Sequence, residues 1–525
     1  MDRKLNRKRQ MATWILAAAT SGAGWAQQVY TTVPVAPVDP KIAAAIAQIS
    51  PDNVHADIEK LVSFKNRSTL SSMDKDLPPG TGINAAADWI FSEYTRISES
   101  CGGCLEVKRD DFVEPGSNRP GSRITKDTRL QNIYAVLKGS DPAQAGRRVL
   151  VTGHYDSRNS DNFNTHDAAP GANDDASGTA VSIESARALA TAWKAGLKFP
   201  STIVFVAVAG EEQGLNGSRH LAKLAKAEGW QLEAVLNNDI VGGDTTEGAP
   251  WDKSQVRVFS EGVPSPATLE ELHTLQTYGY ESDSPSREVA RAIAEVDTTY
   301  FKPVAVGAPP TAPGHMRSHL VRLVPAFHPV LEFRRDRFGR GGDHSSFNAE
   351  GFAAVRITEW QENFNHQHQD LRTETGQLPD GTDGPVEFGD YLKFVDTSYV
   401  ANVARLNSAS LATFAMAPGE PTDVVFPDVK ITNGFNDNFS VMSWKPPVGA
   451  PADTTYEVVW RPTAAPTWTN VQSAGTALTL KLGISKDNVV FGVRSVDAAG
   501  HRSPAVVPLP VRRATMSPSA PRKAQ

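Results

Sequence analysis

Apolar residues recur along the chain in three textures. From about residue 40 to 97, Ile42, Ile46 and Ile49, and then Ala86, Ile90, Tyr94 and Ile97, repeat at three- and four-residue intervals. That spacing predicts amphipathic helices. From about 130 to 360 short apolar strands alternate with helical stretches, the pattern of an α/β sheet. After the stretch MAPGEPTD the runs become short and β-like, with Trp444, Tyr456, Trp460, Phe491 and Val493, and no helical period survives. A separate small all-β sandwich is expected from near residue 421. No internal repeat or extended low-complexity tract interrupts this organisation.

Three of the apolar strands end on polar residues. Val149-Leu150-Val151 runs into Gly153-His154-Tyr155-Asp156-Ser157, TIVFVAVA (202–209) into Gly210-Glu211-Glu212, and EAVLNND (233–239) ends on Asp239. An extended strand end places His154 and Asp156 on one side, because side chains alternate with period two. In open α/β sheets the ligand crevice lies at the carboxyl ends of the strands. Between the first two strands lies APGANDDASG (169–178), a loop that leads into a helix marked by Ile183, Ala186, Ala190 and Trp193. Standing alone, Asp174 and Asp175 would be ordinary acids of a helix start; between two polar strand ends they join the candidate site.

Asp156, Asp174, Glu211, Glu212 and Asp239 would then converge on one crevice. Like charges at such range disfavour joint ionisation unless a cation neutralises them. Histidine plus carboxylate without thiolate suits zinc best, with cobalt or manganese as substitutes. A further nitrogen ligand is expected from NFNHQHQD (363–370), which offers His366, His368 and Asp370; His344 lies upstream in RGGDHSSF.

Charge and cysteine usage narrow the class. The chain carries 53 basic and 59 acidic residues, a net −6, with a pI near 6.1 and no basic block that would draw it onto nucleic acid. The N-terminus combines the basic MDRKLNRKRQ, the short apolar MATWILAAAT and small residues around Gly24-Trp25-Ala26, the three parts of a secretory signal. That apolar stretch is shorter than the ~20 residues a membrane span needs, so a soluble, exported protein is expected, periplasmic or secreted. The only cysteines, Cys101 and Cys104, are expected to form a local disulfide before a strand.

The chain resembles the M28 zinc aminopeptidases over roughly residues 50 to 410. The resemblance rests on GHYDS, APGANDDASG, AGEEQGLNGS, NNDIVG, GGDHSSF and HQHQD, which stand in family order. It implies a three-layer αβα sandwich with a mixed, mostly parallel central sheet and a co-catalytic site holding two zinc ions per chain. Carried over residue by residue, His154 and Asp239 would hold one ion, Glu212 and His366 the other, and Asp174 would bridge them. Asp156 would fix the tautomer of His154 from behind, and Glu211, left without a metal, would serve as general base. His344 matches a position that lines the pocket, and Asp175 is expected to cap the helix. The family's His-Thr-x-x-Asp segment reads His366-Gln367-His368-Gln369-Asp370 here; the spacing to Asp370 selects His366, with His368 as its competitor.

These parts imply an exopeptidase that removes N-terminal amino acids from peptides. Ions about 3.5 to 4 Å apart would lower the pKa of a shared water toward about 7. Glu211 would take its proton and pass it to the departing amine. The expected organisation is a signal peptide (1–26), a peptidase domain with a helical N-terminal segment (27–420), a β sandwich (421–512) and a disordered tail (513–525). SVMSWKPP, TYEVVWR and NVVFGVRSVDAAGHRS give that sandwich a resemblance to fibronectin type III modules, read as a spacer or stabilising appendage. Two other readings stand beside this one: a glutaminyl-cyclase-like acyltransferase on the same fold, and a non-catalytic binding protein that uses the β module. Specificity and oligomeric state are not legible.

Overall fold

The computed structural model describes residues 30–246, 252–301, 304–306, 322–324, 327–427 and 438–511. The expected signal segment and C-terminal tail lie outside the described residues. A two-residue strand, β1 (Thr31–Thr32), precedes helices α1 (Pro40–Ile46), α2 (Pro51–Val62) and α3 (Gly82–Ser100). Strands β2 (Leu105–Glu114), β3 (Thr128–Leu137) and β4 (Arg147–His154) lead to α4 (Ala176–Lys194). Next come β5 (Thr202–Val208), α5 (Asn216–Ala227), β6 (Gln231–Asn238), β7 (Gln255–Ser260), α6 (Leu269–Tyr278) and α7 (Pro285–Tyr300). A ribbon of β8 (Val304–Val306) and β9 (Arg322–Val324) is followed by β10 (His328–Glu332), α8 (His344–Ala349) and β11 (Ala354–Glu359). The hairpin β12 (Arg372–Gln377) and β13 (Asp383–Phe388) and the long α9 (Thr397–Met416) complete this part.

The helix starts are written locally. Asp39 and Ser50 accept backbone N–H bonds at the heads of α1 and α2, each followed by a proline at the first helical position. Cys101 and Cys104 are joined as a disulfide between α3 and β2, as the sequence leads one to expect.

The large sheet has the order β10-β7-β11-β6-β4-β5-β3-β2. Its middle strands β11, β6, β4 and β5 run parallel, and antiparallel pairings flank them. Side-chain alternation divides the core in two. Val149 and Val151 of β4, and Ile203, Phe205 and Ala207 of β5, face the layer built from α1, α2, α3, α4, α7 and α9. Leu150, Val204, Val206 and Val208 face the opposite layer, with Leu221 and Ala222 of α5 and Phe347 of α8. Strands buried on both faces read as continuous apolar runs, and this is the three-layer arrangement expected. Each fully buried aliphatic side chain contributes about 1.5–3 kcal/mol, so the rigid middle of the sheet fixes where its strands end.

The C-terminal strands are β14 (Thr422–Phe426), β15 (Ser440–Lys445), β16 (Thr455–Pro462), β17 (Asn470–Gly475), β18 (Thr479–Leu482), β19 (Val489–Val496) and β20 (Leu509–Pro510). They form two four-stranded sheets, β1-β17-β16-β19 and β18-β15-β14-β20. Phe426, Met442 and Trp444 of one pack against Tyr456, Trp460, Phe491 and Val493 of the other. β14 begins at Thr422, and the expected division at 27–420 needs one correction. Thr31 pairs with Val471 and Thr32 with Asn470, so the first described strand belongs to the sandwich. Two threonines carry no readable period, and only the tertiary pairing assigns them.

The sandwich is tied to α7 by buried charges. Arg461 of β16 pairs with Asp283, which also receives Arg291 of α7. Arg494 Nη1 of β19 lies 2.6 Å from Glu295 Oε2 of α7, and Arg291 Nε donates to the carbonyl of Pro466 at 2.8 Å.

Candidate metal centre

The centre is assembled where β4, β5 and β6 end. His154 is the last residue of β4, Glu211 and Glu212 follow β5 through Gly210, and Asp239 follows β6. Gly210 adopts φ +71°, a left-handed turn that favours glycine and redirects the chain into Glu211. A second close approach brings in α4: a Cβ on Gly153 would lie 2.3 Å from the backbone of Gly178, and one on Gly178 would lie 2.2 Å from the carbonyl of Asn238. Only glycines let the head of α4 settle between β4 and β6.

Asp175 locks this junction. Its carboxylate caps α4 through Gly178 N–H at 2.9 Å and accepts from His154 N–H at 3.0 Å and Ile240 N–H at 3.1 Å. Asp174, joined to it by a cis peptide bond, points into the crevice. Its Oδ1 lies 3.1 Å from His154 Nε2 and its Oδ2 2.8 Å from His368 Nε2. Two groups of ligand atoms therefore lie side by side, His154 with Glu211 and Asp239, and Asp174 with Glu212 and His368; within each group all lie within 4.8 Å.

Asp156 sits behind both strand ends. The Nδ1 atom of His154 faces its carbonyl at 3.2 Å and its Oδ1 at 3.4 Å. The same carboxylate accepts the backbone N–H groups of Glu211 at 3.3 Å and Glu212 at 3.1 Å. It thus fixes the imidazole and the Glu-Glu turn together.

Of the two histidines weighed for the last position, the structure selects the other one. His366 turns away: its Nδ1 pairs with Asp244 and its ring stacks on Phe394 at 3.7 Å. His368 takes the place by adopting φ +53°, which turns its side chain back toward Asp174 and Glu212; its Nε2 lies 2.9 Å from Glu212 Oε1. Asp370, whose spacing favours His366, serves Ser160 instead, accepting from its hydroxyl at 2.7 Å. His344 is buried, with Nε2 against the carbonyl of Arg335 at 2.9 Å, and burial lowers its pKa to about 4.

Burial dominates the electrostatics. It pushes Glu211 well above the usual carboxylate range, with Asp239, Glu212 and Asp343 adding to the rise and His154 opposing it. Burial also works against a charge on His154, yet Asp175, Asp156 and Asp174 hold its pKa well above the ordinary value.

Several residues of the site escaped the sequence reading. Arg67 is buried and donates to the carbonyls of Tyr155, Pro170 and Gly171, pinning the Asp174 loop to the end of β4. Asp390 accepts the N–H groups of Asn173 and Asp174, each at 2.7 Å. Arg356 and Arg158 bond Asp239 and Glu212. Two of these left a trace: Arg356 interrupts an apolar strand, and Arg158 directly follows the GHYDS motif.

The donors suit zinc. His154 Nε2 and Glu212 Oε1 are buried within ion-pair range of their neighbours, but without a hydrogen bond, as atoms reserved for a ligand would be. Two imidazoles among carboxylates, without thiolate, are a zinc set. His154, Asp239, Asp174, Glu212 and His368 would hold the ions.

Comparison with known proteins agrees. The profile described as peptidase family M28 matches residues 132–262. A Pyricularia oryzae protein named "Probable zinc metalloprotease" is 40% identical over 477 residues, covering 90% of this chain and 85% of its own. The chain belongs to peptidase family M28. A Pyrenophora teres f. teres protein of the same name is 39% identical, covering 90% of this M28 peptidase and 88% of the relative. The profile match spans His154 to Asp239 and stops short of His368. Among solved structures, the Legionella pneumophila LapA aminopeptidase is 17% identical with a TM-score of 0.45, covering 79% of this chain and 80% of that one. A Porphyromonas gingivalis glutaminyl cyclase is 16% identical with a TM-score of 0.41, covering 69% and 97%. Likenesses this distant carry no weight for activity.

Proposed function

We propose that this M28 zinc metallopeptidase is a two-zinc aminopeptidase that releases N-terminal residues from peptides, with Glu211 as its general base. The observation that carries the reading is Asp174, which turns one oxygen to each histidine, as a residue shared by two ions would. When bound, the ions supply Lewis acidity that polarises a carbonyl and makes water a nucleophile at neutral pH.

The chain's own residues supply the rest. Glu211 stands on a backbone that Asp156 clamps, with a carboxylate oxygen within 4.8 Å of the ligand atoms of His154 and Asp239, close enough to reach a water between them. A carboxylate in that place can take a proton from water at Oε and return it to the leaving amine. The acidic crevice would also hold a substrate's N-terminal ammonium, which favours cleavage from that end.

Two further readings belong here. Residues 1–26 are read as an export signal, and the Cys101–Cys104 disulfide supports an oxidising compartment. The C-terminal sandwich is read as a fibronectin type III-like module. Among the described residues no helix is long and apolar enough to cross a membrane.

The test is turnover of amino-acid p-nitroanilides and N-blocked peptides by zinc-replete protein. Free N-termini should be cleaved and blocked ones spared. Cleavage of blocked peptides, or ammonia release from N-terminal glutamine without peptide hydrolysis, would overturn it.

A further inference from the structure

Both outer carboxylates of the centre divide their oxygens between an arginine and the crevice. Asp239 Oδ2 accepts from Arg356 Nη1 at 2.6 Å, and Arg356 Nη2 donates to the Asp239 carbonyl at 3.2 Å. The other oxygen, Oδ1, faces His154 Nε2 at 3.9 Å. Glu212 repeats the arrangement: Oε2 accepts from Arg158 Nε at 2.9 Å, while Oε1 lies 2.9 Å from His368 Nε2. Arg158 reaches the second ligand too, with Nη2 2.7 Å from His368 Nδ1.

These are not surface pairs. The side chain of Arg356 is 0% exposed and that of Arg158 13%. A guanidinium keeps its charge at any physiological pH and has donors only, so each arginine is a permanent counter-charge to a buried anion. The crevice needs them, because several buried carboxylates without cations would repel one another.

We infer that Arg158 and Arg356 are positioning residues that occupy the outer oxygens of Glu212 and Asp239, so that each ligand offers its ion a single oxygen and the acidic cluster stays assembled before metal binds. The inference rests on the two-zinc reading. Two consequences follow from the shared ligands. The arginines would compete with the ions for negative charge, which would weaken metal binding, and a single free oxygen on each ligand would leave room for substrate.

This role predicts a sign opposite to ordinary support. Removing a partner that merely orients a metal ligand typically costs 10–100-fold in metal affinity. Removing a competing charge raises it instead. Arg158→Gln, Arg158→Lys and the more deeply buried Arg356→Met are compared with wild type by zinc competition against a chelator. Visible absorption of the cobalt-substituted proteins and melting temperatures of stripped and loaded forms complete the set. Arg158→Gln should bind zinc roughly tenfold more tightly, a shift of about 1.4 kcal/mol. Its cobalt band should weaken as a second carboxylate oxygen joins the ion. Its stripped form should melt lower than stripped wild type, and zinc should close most of that gap. Arg158→Lys, which keeps the charge, should stay near wild type in affinity. Zinc affinity that falls in both Arg158→Gln and Arg356→Met, with unchanged cobalt spectra, would overturn the inference while leaving the two-zinc reading intact. Wild-type protein that takes up no ion would overturn that reading, and this inference with it.

Discussion

The Oδ2 atom of Asp174 lies 2.8 Å from Nε2 of His368, two residues past the histidine that sequence spacing favours. That relationship separates two neighbouring histidines by role. His368→Ala should lower zinc content by about one ion per chain and abolish most turnover. His366→Ala should keep its zinc, because it removes only the pair with Asp244 and the stack on Phe394. Elemental analysis of the two variants decides the matter, and a His366→Ala protein that loses an ion would reverse the assignment.

Glu211 and Glu212 are predicted to separate in the same way. Glu211→Gln keeps its size but gives up its basicity; turnover should fall by roughly 10²-fold or more, the usual scale of general acid–base catalysis, with zinc retained. Glu212→Gln should lose metal, and excess zinc should restore part of its activity. Parallel measurement of zinc content and kcat distinguishes the two, and metal loss from Glu211→Gln would exclude the base role.

The sandwich is predicted to be part of the fold's stability rather than a free appendage. Arg461 and Asp283 are both buried, and removing one partner of a buried pair costs about 3–5 kcal/mol. Arg461→Ala should therefore lower the denaturation midpoint without changing zinc content. A midpoint equal to wild type would show the modules to be energetically separate.

A pH effect is expected far from the centre. Asp297 of α7 is buried, its Oδ1 has no hydrogen-bond partner, and burial raises its pKa to about 8, against roughly 3.9 in an unfolded chain. A raised folded value means that its stabilising contribution is complete below about pH 4 and is lost as pH climbs through 8. Asp297→Asn does not ionise, so its melting temperature should gain on wild type from pH 5 to pH 9. A constant difference across that range would contradict the assignment.

Much of the site was legible because it sits at strand ends. Burial on both faces made β4, β5 and β6 visible as apolar runs, and His154, Glu211, Glu212 and Asp239 stand where those runs stop. Asp174 was legible through its loop and the helix after it. The last histidine was not, since a left-handed turn at His368 and capture of His366 by Asp244 and Phe394 are tertiary events that spacing does not encode. Arg67 and Asp390 were invisible for a related reason: they act on backbone groups about 90 to 220 residues away in sequence. The strand at Thr31–Thr32 has no pattern apart from its partner.

The central claim is that this crevice holds two ions bridged by Asp174. Zinc content per chain, measured by elemental mass spectrometry on wild type and on Asp174→Ala prepared side by side, tests it most directly. Two zinc ions per wild-type chain, with loss at both subsites in the variant, is the predicted result. A fully active wild-type protein with one ion or none, or an Asp174→Ala protein that retains two, would contradict it.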